Sequence, residues 1–470
     1  MKWLLVEWLL TLSLFGLLAR LVSVQVVNHD YYLALARENR IKLETIPADR
    51  GVIFDRFKTP LNRNAPEGRQ YDLGEAGSAV LGYVGQGDRE IVGKDGLERI
   101  YDNKLKGKPG GLLLETDAAG ALVREIGRSE PVPGDSLMST LDAGLQQKAY
   151  ALLSGRKGAV VASDPGNGEI LALVSSPGFK PQEVEKYLTD QDLPLFNRAL
   201  GGVYPPGSTF KLITATAALE EGKADASTQI EDTGKISIGP YSYANWYFTQ
   251  YGRTEGVLDI IQALKRSNDI FFYRLGERLG IRALADWAKF FGVGNSTGVD
   301  LPGEAEGLMP DPTWKEAQKK EDWFLGDTLI TAIGQGDILM TPLQVNQMTS
   351  VIASTGQWCR PHLVAADKED YCRRLDIQPQ TIDLIISGMV QVTQAGGTAW
   401  PFFDFPVSVA GKTGTAEFGG DDKTHAWFTG FAPVDSPNIV VTVLLEGAGE
   451  GSYEAAPVAK DLLAYWFSRQ

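Results

Sequence analysis

The longest apolar run of the chain stands at its start. From Trp3 to Ala19 the sequence reads WLLVEWLLTLSLFGLLA, interrupted only by Glu7, and apolar positions resume after Arg20 and continue to Val27. A run of this length suits a helix that crosses a bilayer with some tilt. No small-x-small site closes it before Asn28-His29-Asp30, so it reads as an uncleaved signal anchor, with a cleaved signal peptide as the alternative. Lys2 is the only basic side chain ahead of it, and Glu7 lies near enough to that end to reach the membrane interface. The following stretch, YYLALARENRIKLETIPADRG, predicts a helix leaving the membrane and then an extended segment broken at Gly51. From there to about residue 140, short strand-like runs such as GSAVLGYVGQGD alternate with glycines and no long amphipathic helix is patterned. These features predict a small β-rich pedestal.

The pattern changes after the turn at Pro131, Pro133 and Gly134. AGLQQKAYALL has helical spacing, and KGAVVASDPGNGEILALVSSP reads as two strands joined at Pro165-Gly166-Asn167-Gly168. Towards the other end, PVSVAGKTGTAEF, HAWFTGFAP and NIVVTVLLEG read as three successive antiparallel strands, and APVAKDLLAYWF as a closing helix. Strands at both ends flank a helical middle. One central antiparallel sheet built from the two ends, with helices packed on it, is the economical α+β sandwich. The expected divisions are an anchor over 1–27, a pedestal over 28–143 and a large domain over 144–470.

Composition narrows the function. The chain has 470 residues, a net charge of −14, and 43% hydrophobic and 22% charged residues. That is ordinary globular composition with length for two or three domains, and the acidic balance argues against a nucleic-acid footprint. Three histidines and two cysteines without a CxxC spacing give poor support to a zinc site. Cys359 and Cys372 read equally well as a disulfide in an oxidising compartment or as two buried thiols.

Three short motifs carry the chemistry: Ser208-Thr209-Phe210-Lys211, Ser267-Asn268-Asp269 and Lys412-Thr413-Gly414, in that order. Each alone is weak, and Ser154-Gly155-Arg156-Lys157 and Ser436-Pro437-Asn438 are decoys of the first two in the wrong context. Pro205-Pro206-Gly207 forbids helix, while TFKLITATAALEEG is helical, so Ser208 falls at a helix N-terminus where free N–H groups stabilise an oxyanion. Three-residue spacing puts Lys211 on the same face, a candidate general base if burial lowers its pKa. Without that burial the same residues read as an N-cap serine and a solvated lysine. Ser267 fits a turn between two helices, where its hydroxyl can pass protons between lysines and a leaving amine. Asp269 either orients the lysine or the substrate amide, or simply caps the next helix. In the last strand, alternation places Thr413 and Thr415 on one side and Lys412 with Gly414 on the other, suited to holding an extended peptide and its carboxylate in a positive field.

At these residues the chain resembles the serine penicillin-binding proteins and the serine β-lactamases, and within them the class B penicillin-binding proteins of the elongation type. Further matching stretches are Arg50-Gly51-Val52-Ile53-Phe54-Asp55-Arg56, AVLGYVG, GLERIYDNKLKGKPGG, STLDAGLQQKA, NRALGGVYPPGSTFKL, AIGQGDILMTPLQ and AGKTGTAE. The resemblance implies a membrane-anchored, extracytoplasmic peptidoglycan D,D-transpeptidase that needs no cofactor. Ser208 attacks the penultimate D-alanine carbonyl of a stem peptide, the backbone N–H groups of Ser208 and Thr415 form the oxyanion hole, and β-lactams acylate Ser208. Lipid-linked glycan and a SEDS-type membrane polymerase are the implied partners. Two departures stand out: the second motif ends in Asp269, as in elongation-type members, and Asp55-Arg56 continues as Phe57-Lys58 instead of Asn-Gly in a shortened pedestal. A D,D-carboxypeptidase is the nearest alternative. A β-lactamase would not need the anchor and pedestal, and a non-catalytic penicillin-sensing module would be expected to carry several spanning helices and an HExxH motif, which the sequence does not show.

Overall fold

In the computed structural model, residues 2–38, 40–87, 90–117, 121–364, 371–419 and 423–469 are described. The chain divides into two compact units that interleave in sequence: Met1–Gly51 with Asn103–Asp135, and Val52–Asp102 with Ser136–Gln470. The pedestal expected over 28–143 is thus distributed between them.

In the first unit the opening apolar run forms helix α1 (Lys2–Val22), extended by a π-helical turn over Ser23–Val27. Its leucines and tryptophans are exposed all round, Trp3 at 83% and Leu12 at 71%. A helix that is apolar on every side and covered by nothing is stable in lipid, not in water. The chain continues as a helix over His29–Glu38 and then as strand β1 (Ile41–Ile46), as the pattern predicts. β1 pairs with β2 (Gly110–Thr116), which pairs with β3 (Leu122–Ser129), all antiparallel.

The second unit is built on a five-stranded antiparallel sheet of β4 (Gly158–Ser163), β5 (Ile170–Ser176), β6 (Ala410–Phe418), β7 (Lys423–Ala432) and β8 (Ile439–Leu445). Their order across the sheet is β5-β4-β8-β7-β6, so the two ends of the sequence meet at the β4–β8 pair, with Val160 opposite Val443. Alternation then separates two cores. Phe428, Val441, Val443 and Leu445 face α2 (Ala143–Leu153) and α9 (Ala455–Phe467), whose apolar stripes include Leu145, Ala149, Leu462 and Leu463. Trp427, Phe431, Val440 and Leu444 face the helical middle. That middle comprises α3 (Lys211–Glu220), α4 (Ile260–Arg266), α5 (Asp269–Phe290), α6 (Leu325–Ala332), α7 (Pro342–Ala353) and α8 (Pro379–Val392). Sheet strands are buried on both faces, which explains near-continuous apolar runs such as IVVTVLL.

Several polar groups inside this core pair with one another. Asn346 of α7 donates to Thr442 Oγ1 and accepts from Ser163 Oγ, while Thr349, Thr429 and Thr442 form a chain of hydroxyls at 2.7 and 2.8 Å. A satisfied buried network of this kind fixes the register of helix on sheet. Cys359 and Cys372 are joined in a disulfide across a small hairpin, which resolves the alternatives left open by their spacing. Asp55 closes a turn by accepting from the N–H groups of Phe57 and Thr59, and Lys58 takes the left-handed conformation, φ 67°, for which glycine is the usual residue.

Candidate active site

Pro205-Pro206-Gly207 does keep the helix from starting early, and the chain enters it through a 3-10 turn over Gly207–Thr209. α3 begins at Lys211, so Ser208 sits in the tight turn ahead of the helix and its side chain does not cap it. The turn is fixed from three directions. Gly207 N–H donates to the Gly334 carbonyl at 2.8 Å, the Trp427 indole donates to the Pro205 carbonyl at 3.0 Å, and Thr209 Oγ1 donates to the Pro206 carbonyl at 2.7 Å. Ser208 itself is half-buried, and its hydroxyl forms no hydrogen bond with another described residue.

Glycines bring the turn against the sheet. A methyl group on Gly414 would lie 3.0 Å from Thr209 Cγ2, and one on Gly207 would lie 2.8 Å from the Thr415 carbonyl oxygen. β6 is an edge strand, and Thr415 O accepts from Gln335 Nε2 at 3.1 Å, on the side away from β7. In an antiparallel ladder a residue's N–H and C=O point the same way, so the Thr415 N–H also faces the free edge.

Lys211 is fully buried. Its Nζ donates to Asp269 Oδ1 at 2.6 Å and to the Ser267 carbonyl at 2.7 Å, and lies 3.4 Å from Ser267 Oγ. Lys412 is also fully buried, donating to Ser267 Oγ at 2.8 Å and to the Thr413 carbonyl at 2.9 Å. The three motifs therefore converge, with the Ser267 hydroxyl between two amines. Ser267 is held there by an unusual backbone: it ends α4 in the left-handed conformation, φ 53° and ψ 38°, and α5 starts two residues later. Strain of this kind persists only where surrounding structure enforces it. Burial lowers the pKa of Lys211, opposed by the Asp269 carboxylate. Burial and then the neighbouring Lys211 charge push Lys412 well below its ordinary value. Burial thus disfavours the charged form of both amines, and the Ser267 hydroxyl bridges them.

The reading of Lys211 as a solvated lysine and of Ser208 as an N-cap is overturned by this burial and this turn. Asp269 is not the cap of α5; Asn268 is, accepting from Phe271 N–H at 2.9 Å, which frees Asp269 for Lys211. Thr413 Oγ1 lies 2.7 Å from Thr398 Oγ1, and Thr415 Oγ1 accepts from Gly451 N–H at 3.3 Å. Gly334, Gln335, Thr398 and Glu255, whose carboxylate accepts from Asn268 Nδ2 at 2.9 Å, escaped notice as site residues. Gly334 and Gln335 stand in the AIGQGD stretch, the one signal that could have marked them.

A hydroxyl in a tight turn, two buried lysines and a free strand edge define a serine acyltransferase site, and comparison with known proteins agrees. Residues 158–464 match the penicillin-binding protein transpeptidase domain and residues 64–139 the penicillin-binding protein dimerisation domain. The chain belongs to the penicillin-binding protein transpeptidase family. Within it, the chain is 35% identical to a peptidoglycan D,D-transpeptidase MrdA of Acinetobacter baumannii, over 85% of this chain and 66% of that one. It is 31% identical to the MrdA of Haemophilus influenzae, over 99% of this chain and 91% of that one. A crystal structure of Pseudomonas aeruginosa PBP2 in complex with WCK 5153 has a TM-score of 0.79 at 35% identity, covering 90% of this chain and 96% of that one. A structure describing coordination of polymerization and crosslinking by a peptidoglycan synthase complex has a TM-score of 0.80 at 29% identity, covering 99% and 98%.

Proposed function

We propose that this protein is a peptidoglycan D,D-transpeptidase of the elongation type, forming stem-peptide cross-links through an acyl-enzyme on Ser208. The observation that carries this reading is the buried Lys211–Ser267–Lys412 array, with Asp269 on one amine, one turn from an uncommitted serine hydroxyl. Ser208 Oγ adds to the penultimate D-alanine carbonyl while its proton passes to Lys211, whose own proton has moved through Ser267 to a neutral Lys412. The N–H groups of Ser208 and Thr415 stabilise the oxyanion. As the intermediate collapses, the terminal D-alanine nitrogen takes a proton from Ser267, which is resupplied by the lysines. An acceptor amine then attacks the ester, returning its proton along the same path and restoring the Ser208 hydroxyl. Donor peptide lies along the free edge of β6 by strand addition, with Thr413 and Thr415 facing it, Gly414 between them admitting the Ser208 turn and Lys412 supplying positive potential. β-Lactams react with Ser208 as mimics of this substrate.

The apolar α1 supports a single-pass anchor in the bacterial cytoplasmic membrane with the catalytic unit outside, where the Cys359–Cys372 disulfide is stable. The synthase complex among the similar structures supports a glycan-polymerising membrane partner of the SEDS type acting on lipid-linked glycan. The deciding experiment combines lipid-linked substrate, a glycan polymerase and this protein. Dimeric muropeptides are expected, and they disappear with Ser208→Ala together with the covalent adduct formed by a fluorescent penicillin. Free D-alanine without dimers identifies a carboxypeptidase instead, and labelling that survives Ser208→Ala removes Ser208 from the mechanism.

A further inference from the structure

Asp269 is held by more than Lys211. Its Oδ2 accepts from the Trp246 backbone N–H at 2.9 Å, and its own N–H donates to Asn245 Oδ1 at 3.1 Å. Asn245 is completely buried, and its Nδ2 donates to Asp232 Oδ2 at 3.0 Å. Asp232 in turn accepts from the N–H groups of Gly234 and Glu255 at 2.8 and 2.9 Å, so it is itself fixed by backbone. Trp246 opens a short helix over Trp246–Tyr251, and its indole donates to the Arg266 carbonyl at 3.0 Å. We propose that Asn245 and the Trp246 N–H are positioning groups for acyl transfer, Asn245 fixing the Asp269 backbone and the Trp246 N–H clamping its carboxylate so that Oδ1 is reserved for Lys211 and the protonation of the lysine pair is set. The inference rests on the roles given above to Lys211 and Asp269.

The physical argument concerns charge. A buried carboxylate that accepts an N–H spreads its negative charge into that bond. Without the bond, Oδ2 is left unpaired in a dry site, and the whole charge is directed at Lys211, holding its ammonium form to higher pH. The other ionisable groups around this pair are Lys412 across Ser267, Glu255 with its partner Arg266, Asp232 behind Asn245, and Tyr273 on α5. None of them hydrogen-bonds to Asp269 Oδ2, so the Trp246 N–H is a separable contribution.

The backbone supplies an unusual means of removing it. Trp246 is the first helical residue, a position that accepts proline, and Asn245 before it is extended, φ −76° and ψ 139°, as the residue preceding proline prefers. Trp246→Pro and Trp246→Ala both lose the indole, but only the proline loses the N–H. The acylation rate of the full-length protein by a fluorescent penicillin is measured against pH for both, alongside Asp269→Asn. With Trp246→Pro the midpoint of the rise with pH lies about one unit above that of Trp246→Ala. Asp269→Asn, which removes the charge, moves it down. Equal midpoints for the proline and alanine variants overturn the inference while a shifted Asp269→Asn leaves the role of Asp269 standing. An unmoved midpoint in Asp269→Asn takes down that role itself. Hydrogen exchange gives a second test that needs no proline: Asp269→Ala should lose protection at the Trp246 amide and keep it at Gly234 and Glu255, and unchanged protection at Trp246 overturns the clamp.

Discussion

At the scale of single residues, the chemistry depends on side chains taken out of water and held by fixed partners. Ser267 separates the two requirements, backbone and hydroxyl. Its left-handed φ of 53° is unfavourable for any residue with a Cβ, while its Oγ receives Lys412 at 2.8 Å. Ser267→Gly keeps the backbone without strain and removes the hydroxyl with its Cβ, whereas Ser267→Ala removes the hydroxyl alone. Acylation followed by stopped flow is expected to fall by about 10²-fold or more in both Ser267→Gly and Ser267→Ala. In thermal melts the glycine variant should be at least as stable as the alanine variant. Near-normal acylation in Ser267→Gly would show that protons do not travel through this hydroxyl. The sequence already named every member of the array, because order and spacing of the three motifs identify residue types. It left the protonation of Lys211 and Lys412 undecided, since burial comes from α3, α5 and the sheet closing around them.

At the scale of elements, the site is an agreement between a turn and a strand from opposite ends of the large unit. Gly334, φ 75°, makes that approach: a Cβ there would lie 2.1 Å from the Gly207 carbonyl oxygen and 2.7 Å from Phe210 Cβ. Gly334→Ala must displace the Ser208 turn, and misplacement on the ångström scale costs about 10²-fold in rate. Gly303, φ 83°, has nothing within 4 Å of its Cβ position. Gly303→Ala therefore carries the same φ penalty without the clash, and its acylation rate should stay near that of the parent. Equal losses in the two variants would assign the effect to backbone strain alone. The strands and their antiparallel sense were legible because apolar runs, turn residues and lengths agreed. The left-handed Ser267 was not legible, because serine there contradicts local preference and is enforced by its neighbours.

At the scale of the molecule, all the residues of the array lie in the unit formed by Val52–Asp102 and Ser136–Gln470. A protein lacking residues 1–27 is accordingly expected to acylate with penicillin at the rate of the full chain while no longer sedimenting with membranes; a loss of acylation in soluble, folded protein would tie the chemistry to the anchor. The interleaving of the two units was invisible in the sequence, where the pedestal reads as one run over 28–143. Local patterning marks where a strand or turn falls, but not which distant segment it pairs with, and Ile53–Phe54 pairs in parallel with Leu137–Met138, some 80 residues on. By itself the sequence determined the apolar opening helix, the sheet-forming ends and the residue types of the three motifs, since these follow from composition and short-range spacing. Only the tertiary structure decided that Asn268 caps α5 while Asp269 faces Lys211, that the Trp246 N–H holds that carboxylate and Asn245 the backbone beneath it, and that both lysines are fully buried. Each of those depends on groups brought together from remote parts of the chain, and desolvation is a property of the packed whole.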